Sequence, residues 1–203
     1  IPNSITSLNL LCGATGIVLA LNGRLDLAFY FMLGGGLCDF FDGFTARLLG
    51  CWSPTGKELD SQADQVTFGV LPSVMLVEVL KQSLGLASVF TWVPLMIAVF
   101  SGLRLAKFNI DERQTSSFIG LPTPACAMIC GSLAYWIATT PPSSVTPVLT
   151  GMWFIPALSI ILSLLLVSEI PMFSMKIHKG EDFGWRRIVF FGTAAHAETY
   201  FIY

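Results

Sequence analysis

Residues 39–64 read DFFDGFTARLLGCWSPTGKELDSQAD. Four aspartates, one glutamate, one arginine and one lysine stand here in an otherwise apolar neighbourhood. Asp39 follows FYFMLGGGLC and precedes two phenylalanines, so it is not the polar fringe of a helix. An aspartate at the centre of a membrane helix costs about 3 kcal/mol to insert, and four left uncompensated represent on the order of 10 kcal/mol. They must face a wet cavity, a cation or one another.

The rest of the chain sets that environment. Of its 203 residues, 54% are hydrophobic and 12% charged, against about 25% charged in ordinary soluble domains. The apolar residues come in long blocks, which predicts an integral membrane protein. Six transmembrane helices are expected over 5–23, 27–49, 63–80, 89–108, 121–139 and 149–170, giving an all-α six-helix bundle. NGRLD (22–26), GCWSPTGKELD (50–60), NIDERQTSS (109–117) and TTPPSSVTP (139–147) separate them, and the adjacent Pro141 and Pro142 of the last cannot continue a helix. Residues 1–176 form the expected transmembrane domain. Residues 177–203 are expected to form a cytoplasmic segment and a partial or incomplete C-terminal helix, since the end, RRIVFFGTAAHAETYFIY, is too short and interrupted to span cleanly. The chain opens on Ile1, which points to a longer reading frame, and shows no signal peptide.

Lys and Arg distribute unevenly. One side receives Arg47, Lys57, Arg104, Lys107, Arg113, Lys176, Lys179, Arg186 and Arg187, and the other only Arg24 and Lys81. The positive-inside rule therefore places the 50–60 and 109–117 loops in the cytoplasm. A net charge of −2 without a basic run gives no footing for nucleic acid. The five cysteines read as small buried side chains: Cys126 and Cys130, one helical turn apart, make neither a good disulfide nor a zinc site. His178 and His196 read as surface or interfacial residues.

Helical periodicity gathers the acids. Asp39, Asp42 and Ala46 share a face at i, i+3 and i+7, and Asp60 and Asp64 share one at i, i+4 on the next helix. A short connection makes those helices antiparallel neighbours, so all four carboxylates converge at one depth. Converging carboxylates cannot all stay ionised without compensation. Hard divalent cations are the natural partner, and Mg²⁺ keeps positions open for phosphate. Two ions about 4 Å apart suit phosphoryl transfer. Gly43, Ala46 and Gly56 leave room for a ligand against the backbone. Arg47 suits a phosphate or a carboxylate. Asn3, Thr6 and Asn9 form a polar stripe on the first helix, facing either phosphate or the carboxylates, or else the membrane interface.

The pattern Asp39-x2-Asp42-Gly43-x2-Ala46-Arg47-x8-Gly56-x3-Asp60-x3-Asp64 resembles the signature of the CDP-alcohol phosphatidyltransferases in every residue and spacing. That resemblance implies a six-helix membrane fold, usually dimeric, with two Mg²⁺ or Mn²⁺ ions held by Asp39, Asp42, Asp60 and Asp64. It places CDP-diacylglycerol against Asp42, Gly43, Ala46, Arg47, Gly56 and Asp60, with Thr6 and Asn9 nearby, and makes Asp64 the expected base. IPNSITSLNLLCG (1–13), GLRLAKFN (102–109), FIGLPTPA (118–125) and LLLVSEIPMFSMK (164–176) are similar to the branch of that family whose acceptor is L-serine. Lys107 stands where that branch more often has arginine. Arg104, Lys107, Asn109 and Thr123 then become the expected serine contacts. Arg104 and Lys107 also read as ordinary positive-inside anchors. Glycerol 3-phosphate or inositol phosphate as acceptor remain open, though both call for a further basic cluster. A divalent-cation transporter is the alternative from another class, although transporters spread their acids over repeated halves and no repeat is visible here.

Overall fold

The computed structural model describes residues 2–49, 54–110, 118–141, 146–169 and 171–172. Its elements are helices α1 (Pro2–Leu21), α2 (Leu25–Leu49), α3 (Pro54–Asp64), α4 (Leu71–Leu84), α5 (Leu95–Ile110), α6 (Thr123–Thr139), α7 (Thr146–Leu149) and α8 (Phe154–Val167). Strands β1 (Phe118–Ile119) and β2 (Pro171–Met172) form a two-residue antiparallel ladder. The class is all-α, as expected.

α1 and α2 form an antiparallel hairpin closed by a glycine cap. Gly23 takes φ +76°. Its amide donates to the Ala20 carbonyl at 2.9 Å, and the Arg24 amide donates to that of Leu19 at 2.9 Å. Together these satisfy the carbonyls a helix end leaves open. α3 begins at Pro54, a residue suited to the first helical turn because its missing N–H has no intrahelical partner there. This corrects one expectation: residues 54–60 are helix rather than loop, and Asp60 lies inside it.

α3 and α4 are one long helix joined by a π-helical turn, Gln65–Val70. There the Leu71 amide bonds to the Val66 carbonyl, five residues back rather than four. The long helix is the axis of the bundle. Ala63, Leu71, Met75, Leu76 and Leu80 on it are fully buried. Leu71 packs closely on α1, where a Cβ built on Gly16 would lie 2.6 Å from Leu71 Cδ2. Small residues at such crossings let membrane helices approach. The outer helices turn Leu11, Val18, Leu37, Phe40, Val99 and Leu164 outward, as a lipid-facing surface requires.

Among the described residues, four helices are long and apolar enough to cross a membrane: Asn3–Leu21, Leu25–Thr45, Thr55–Leu84 and Val89–Lys107. Thr123–Thr139 and Phe154–Val167 are apolar but shorter. The expected fourth span is divided: a 3₁₀ turn over Val89–Trp92 precedes α5. The expected sixth is trimmed to α8, with the separate turn α7 before it.

Gly120 joins β1 to α6. It adopts φ +76° against the last turn of α8, and the Leu121 amide donates to the Leu165 carbonyl at 3.0 Å. The ladder and this contact bring the start of α6, the end of α5 and the end of α8 together. The 177–203 segment, with His178 and His196, lies outside the described residues, as do Arg113 and Cys51. The other four cysteines are free thiols, and Cys126 and Cys130 are buried, in keeping with the apolar role expected of them.

Candidate functional site

The carboxylates meet where the end of α2 passes the start of α3, about two to three turns inside those helices. One oxygen from each of Asp39, Asp42 and Asp60 lies within 4.8 Å of the others. Asp64 completes the group, within hydrogen-bonding reach of Asp39 and accepting from Asn9 Nδ2 at 3.4 Å. Asp42 is buried, Asp39, Asp60 and Asp64 half-buried. Among the described residues none of the four is in an ion pair. Glu78 and Glu169, by contrast, are paired with Lys81 at 2.8 Å and Lys107 at 3.1 Å. Among the described residues, the acids that are at least half-buried and unpaired thus collect at a single place.

The polar stripe on α1 divides over this cluster. Thr6 and Asn9 are buried and Asn3 is exposed. The Thr6 hydroxyl and the Gly43 backbone amide both donate to Asp42. Asn9 donates to Asp64, so both stripe residues face carboxylates. These contacts leave acceptor capacity over: Asp42 Oδ2 and Asp60 Oδ1 are buried with no hydrogen-bond partner. Buried polar oxygens are nearly always paired. Close-set carboxylate oxygens with orphaned lone pairs are the donor set that a hard divalent cation accepts. The residues therefore fit such an ion.

Gly43 and Gly56 are half-buried on the two helices that carry the acids. Ala46 and Arg47 lie on α2 and Asn109 on α5, but their side chains fall outside the described residues. Arg104 and Lys107, expected to act together, part company. Arg104 is buried, 9% exposed, and donates from Nη1 to Thr123 Oγ1 at 3.0 Å. It lies in electrostatic range of Asp64. Lys107 is exposed and reaches Glu169 beyond α8. An i, i+3 pair is offset by about 60° around a helix, enough at this position to send one side chain inward and the other out.

The structure adds residues that the sequence did not single out. Thr67 and Gln65, in the π turn next to Asp64, are anchored to α1 and α5 by hydrogen bonds at 3.1 and 2.7 Å. The glycines at 13 and 35 on the neighbouring helices were the available signal, since a helical glycine within the membrane marks a close approach.

The profile of the CDP-alcohol phosphatidyltransferase family matches residues 1–168. A CDP-diacylglycerol–serine O-phosphatidyltransferase of Bacillus subtilis is 38% identical over 135 residues, 66% of this chain and 75% of that protein. The protein of the same name from Mycobacterium leprae is 32% identical over 192 residues, covering 86% of this chain and 58% of its own length. One from Methanocaldococcus jannaschii is 32% identical over 155 residues, covering 76% and 70% respectively.

Proposed function

The chain belongs to the CDP-alcohol phosphatidyltransferase family, and from that premise we propose that it moves the phosphatidyl group of CDP-diacylglycerol to L-serine. The products are phosphatidylserine and CMP. The single observation that carries the reading is the convergence of Asp39, Asp42 and Asp60 within 4.8 Å, with Asp64 beside them, inside an apolar bundle. The relatives' shared name favours serine as acceptor. Family membership removes the ground for the cation-transporter reading.

Asp39, Asp42, Asp60 and Asp64 would hold two divalent ions, Mg²⁺ or Mn²⁺, which would supply positive charge to offset the diphosphate and the leaving CMP. Gly43, Ala46 and Gly56 admit the nucleotide against α2 and α3, with Arg47 beside it. The serine hydroxyl oxygen attacks the phosphorus that carries diacylglycerol, and the bond from that phosphorus to the CMP oxygen breaks. Asp64 orients the hydroxyl and accepts its proton as the new P–O bond forms, since an aspartate is too weak a base to remove it beforehand. Arg104, held in place by Thr123, binds the serine carboxylate through its planar fork. Lys107 and Asn109 lie on the same helix end and contribute charge and polarity around it. The nine-to-two distribution of Lys and Arg supports a cytoplasmic position for this end of the bundle. The chain works as a homodimer in the membrane.

The test is serine-dependent CMP release from CDP-diacylglycerol by the purified chain in detergent. It is run with Mg²⁺, with Mn²⁺ and with EDTA, and repeated with glycerol 3-phosphate and inositol phosphate. Release that requires serine and a divalent ion supports the proposal. Release with another acceptor in preference to serine overturns the acceptor assignment, and release in EDTA overturns the metal assignment.

A further inference from the structure

Two polar side chains leave the π turn in different directions, each seated between glycines. Gln65 donates from Nε2 to the Ala98 carbonyl on α5 at 2.7 Å. It lies against Gly69 and Gly102, where an added Cβ would come to 3.0 and 3.3 Å of its amide. Thr67 is fully buried and donates from Oγ1 to the Asn9 carbonyl on α1 at 3.1 Å. A Cβ on Gly13 would collide with that hydroxyl, and one on Gly35 would stand 2.6 Å from Thr67 Cγ2 and 2.8 Å from Asn9 Oδ1. Thr67 therefore fills a socket where α1 and α2 close on the central helix.

The residue that Thr67 grips is the one that holds Asp64: Asn9 offers its backbone carbonyl to Thr67 and its Nδ2 to Asp64. The π turn begins directly after Asp64 and widens the helix by one residue. Asp64 and Thr67 both reach α1 across this turn while Gln65, between them, reaches α5. π turns inside α-helices recur at functional sites, and this one has a mechanical role.

We infer that Thr67 is a positioning residue for Asp64, acting through Asn9. Its hydroxyl fixes the height of the α1 backbone at Asn9, and so fixes the amide that orients the Asp64 carboxylate. The inference rests on Asp64 receiving the serine proton, as proposed above. Thr67 is fully buried, so its loss acts on the alignment of Asp64 and removes no direct contact to CDP-diacylglycerol. The signature is a fall in kcat without a matching rise in KM.

The experiment uses the whole chain in detergent and the variants Thr67→Val, Thr67→Ser, Asn9→Ala, Asp64→Asn and the Thr67→Val/Asn9→Ala pair. Valine keeps the shape and removes the donor, while serine keeps the donor. Losing one neutral hydrogen bond from the alignment of Asp64 is expected to lower kcat about 3- to 10-fold in Thr67→Val, with KM for CDP-diacylglycerol within twofold. Thr67→Ser should return kcat to within about twofold, and Thr67→Val should have little further effect once Asn9 is alanine. Wild-type kcat in Thr67→Val, an equal loss in Thr67→Ser, or fully additive losses in the pair would each overturn the inference. If Thr67→Val does not fold, Thr67→Ala leaves the socket uncrowded and is read by the same outcomes. Asp64→Asn separates the two levels. Undiminished kcat there removes the role proposed for Asp64, whereas lost kcat there with an unaffected Thr67→Val removes only the role of Thr67.

Discussion

Gly120→Ala tests whether the contact of the β1–α6 junction with α8 organises the acceptor side of the site. Three glycines, Gly23, Gly85 and Gly120, share a φ of +76°. A Cβ at Gly23 or Gly85 would meet nothing within 4 Å. At Gly120 it would stand 2.8 Å from the Ser168 carbonyl oxygen and 2.9 Å from that of Leu166. Those are backbone atoms and cannot rotate away. Placing alanine at a positive φ costs about 1–2 kcal/mol at Gly23 and at Gly120. The collision at Gly120 adds about 1–3 kcal/mol of overpacking. Gly120→Ala should therefore cost about 2–5 kcal/mol and Gly23→Ala only about 1–2 kcal/mol. For a chain of this length, at about 3 °C per kcal/mol, the corresponding falls in Tm are roughly 10 °C and 5 °C, read by thermal denaturation in detergent. Chain that moves off α8 carries the start of α6 with it, and with it Thr123, the partner of Arg104. The KM for serine should rise severalfold while that for CDP-diacylglycerol stays put. Equal losses of Tm in Gly120→Ala and Gly23→Ala would refute the reasoning, because the carbonyl contact would then contribute nothing.

Asp39→Asn should abolish turnover while the protein still elutes as a folded species, since it removes one charge from the ion site without changing volume; isothermal titration with Mn²⁺ should show the binding weakened. Arg104→Gln should lower kcat/KM for serine about 10- to 150-fold, the range for losing a charge-assisted contact of 1.5–3 kcal/mol, and leave CDP-diacylglycerol affinity intact; loss of nucleotide affinity with an unchanged serine KM would make Arg104 a phosphate ligand. Lys107→Ala breaks an exposed pair with Glu169 and should cost less than about 1 kcal/mol of stability, measured as a Tm change of a few degrees at most. Lys81→Met leaves the buried Glu78 carboxylate without its 2.8 Å partner and should destabilise by about 2 kcal/mol with no change in serine KM.

The carboxylate cluster was legible because helical spacing alone sets which face a residue occupies, and Asp39, Asp42, Asp60 and Asp64 obey that spacing. The break before Pro54 was legible as a break, but its length was not. Polar residues such as Lys57 and Glu58 look like loop until the neighbouring helices extend the helix through them. The π turn left no local trace, because what holds it lies on other helices: the Ala98 carbonyl for Gln65 and the Asn9 carbonyl for Thr67. Arg104 and Lys107 looked equivalent at i, i+3. Their separation depends on where Thr123 and Glu169 stand, which the β1–β2 ladder and the Gly120 contact decide.

The central helix has a further consequence, for how the chain enters its membrane. Its first half, PTGKELDSQAD, carries Asp60 and Asp64, and each buried aspartate opposes insertion by up to about 3 kcal/mol. Its second half, α4, is apolar. Insertion is therefore helped by a protein surface already present to receive the polar face. Synthesis order supplies one: the α1–α2 hairpin, carrying Thr6, Asn9, Asp39 and Asp42, emerges first. The residues that meet Asp60 and Asp64 in the finished site are thus made before those carboxylates are.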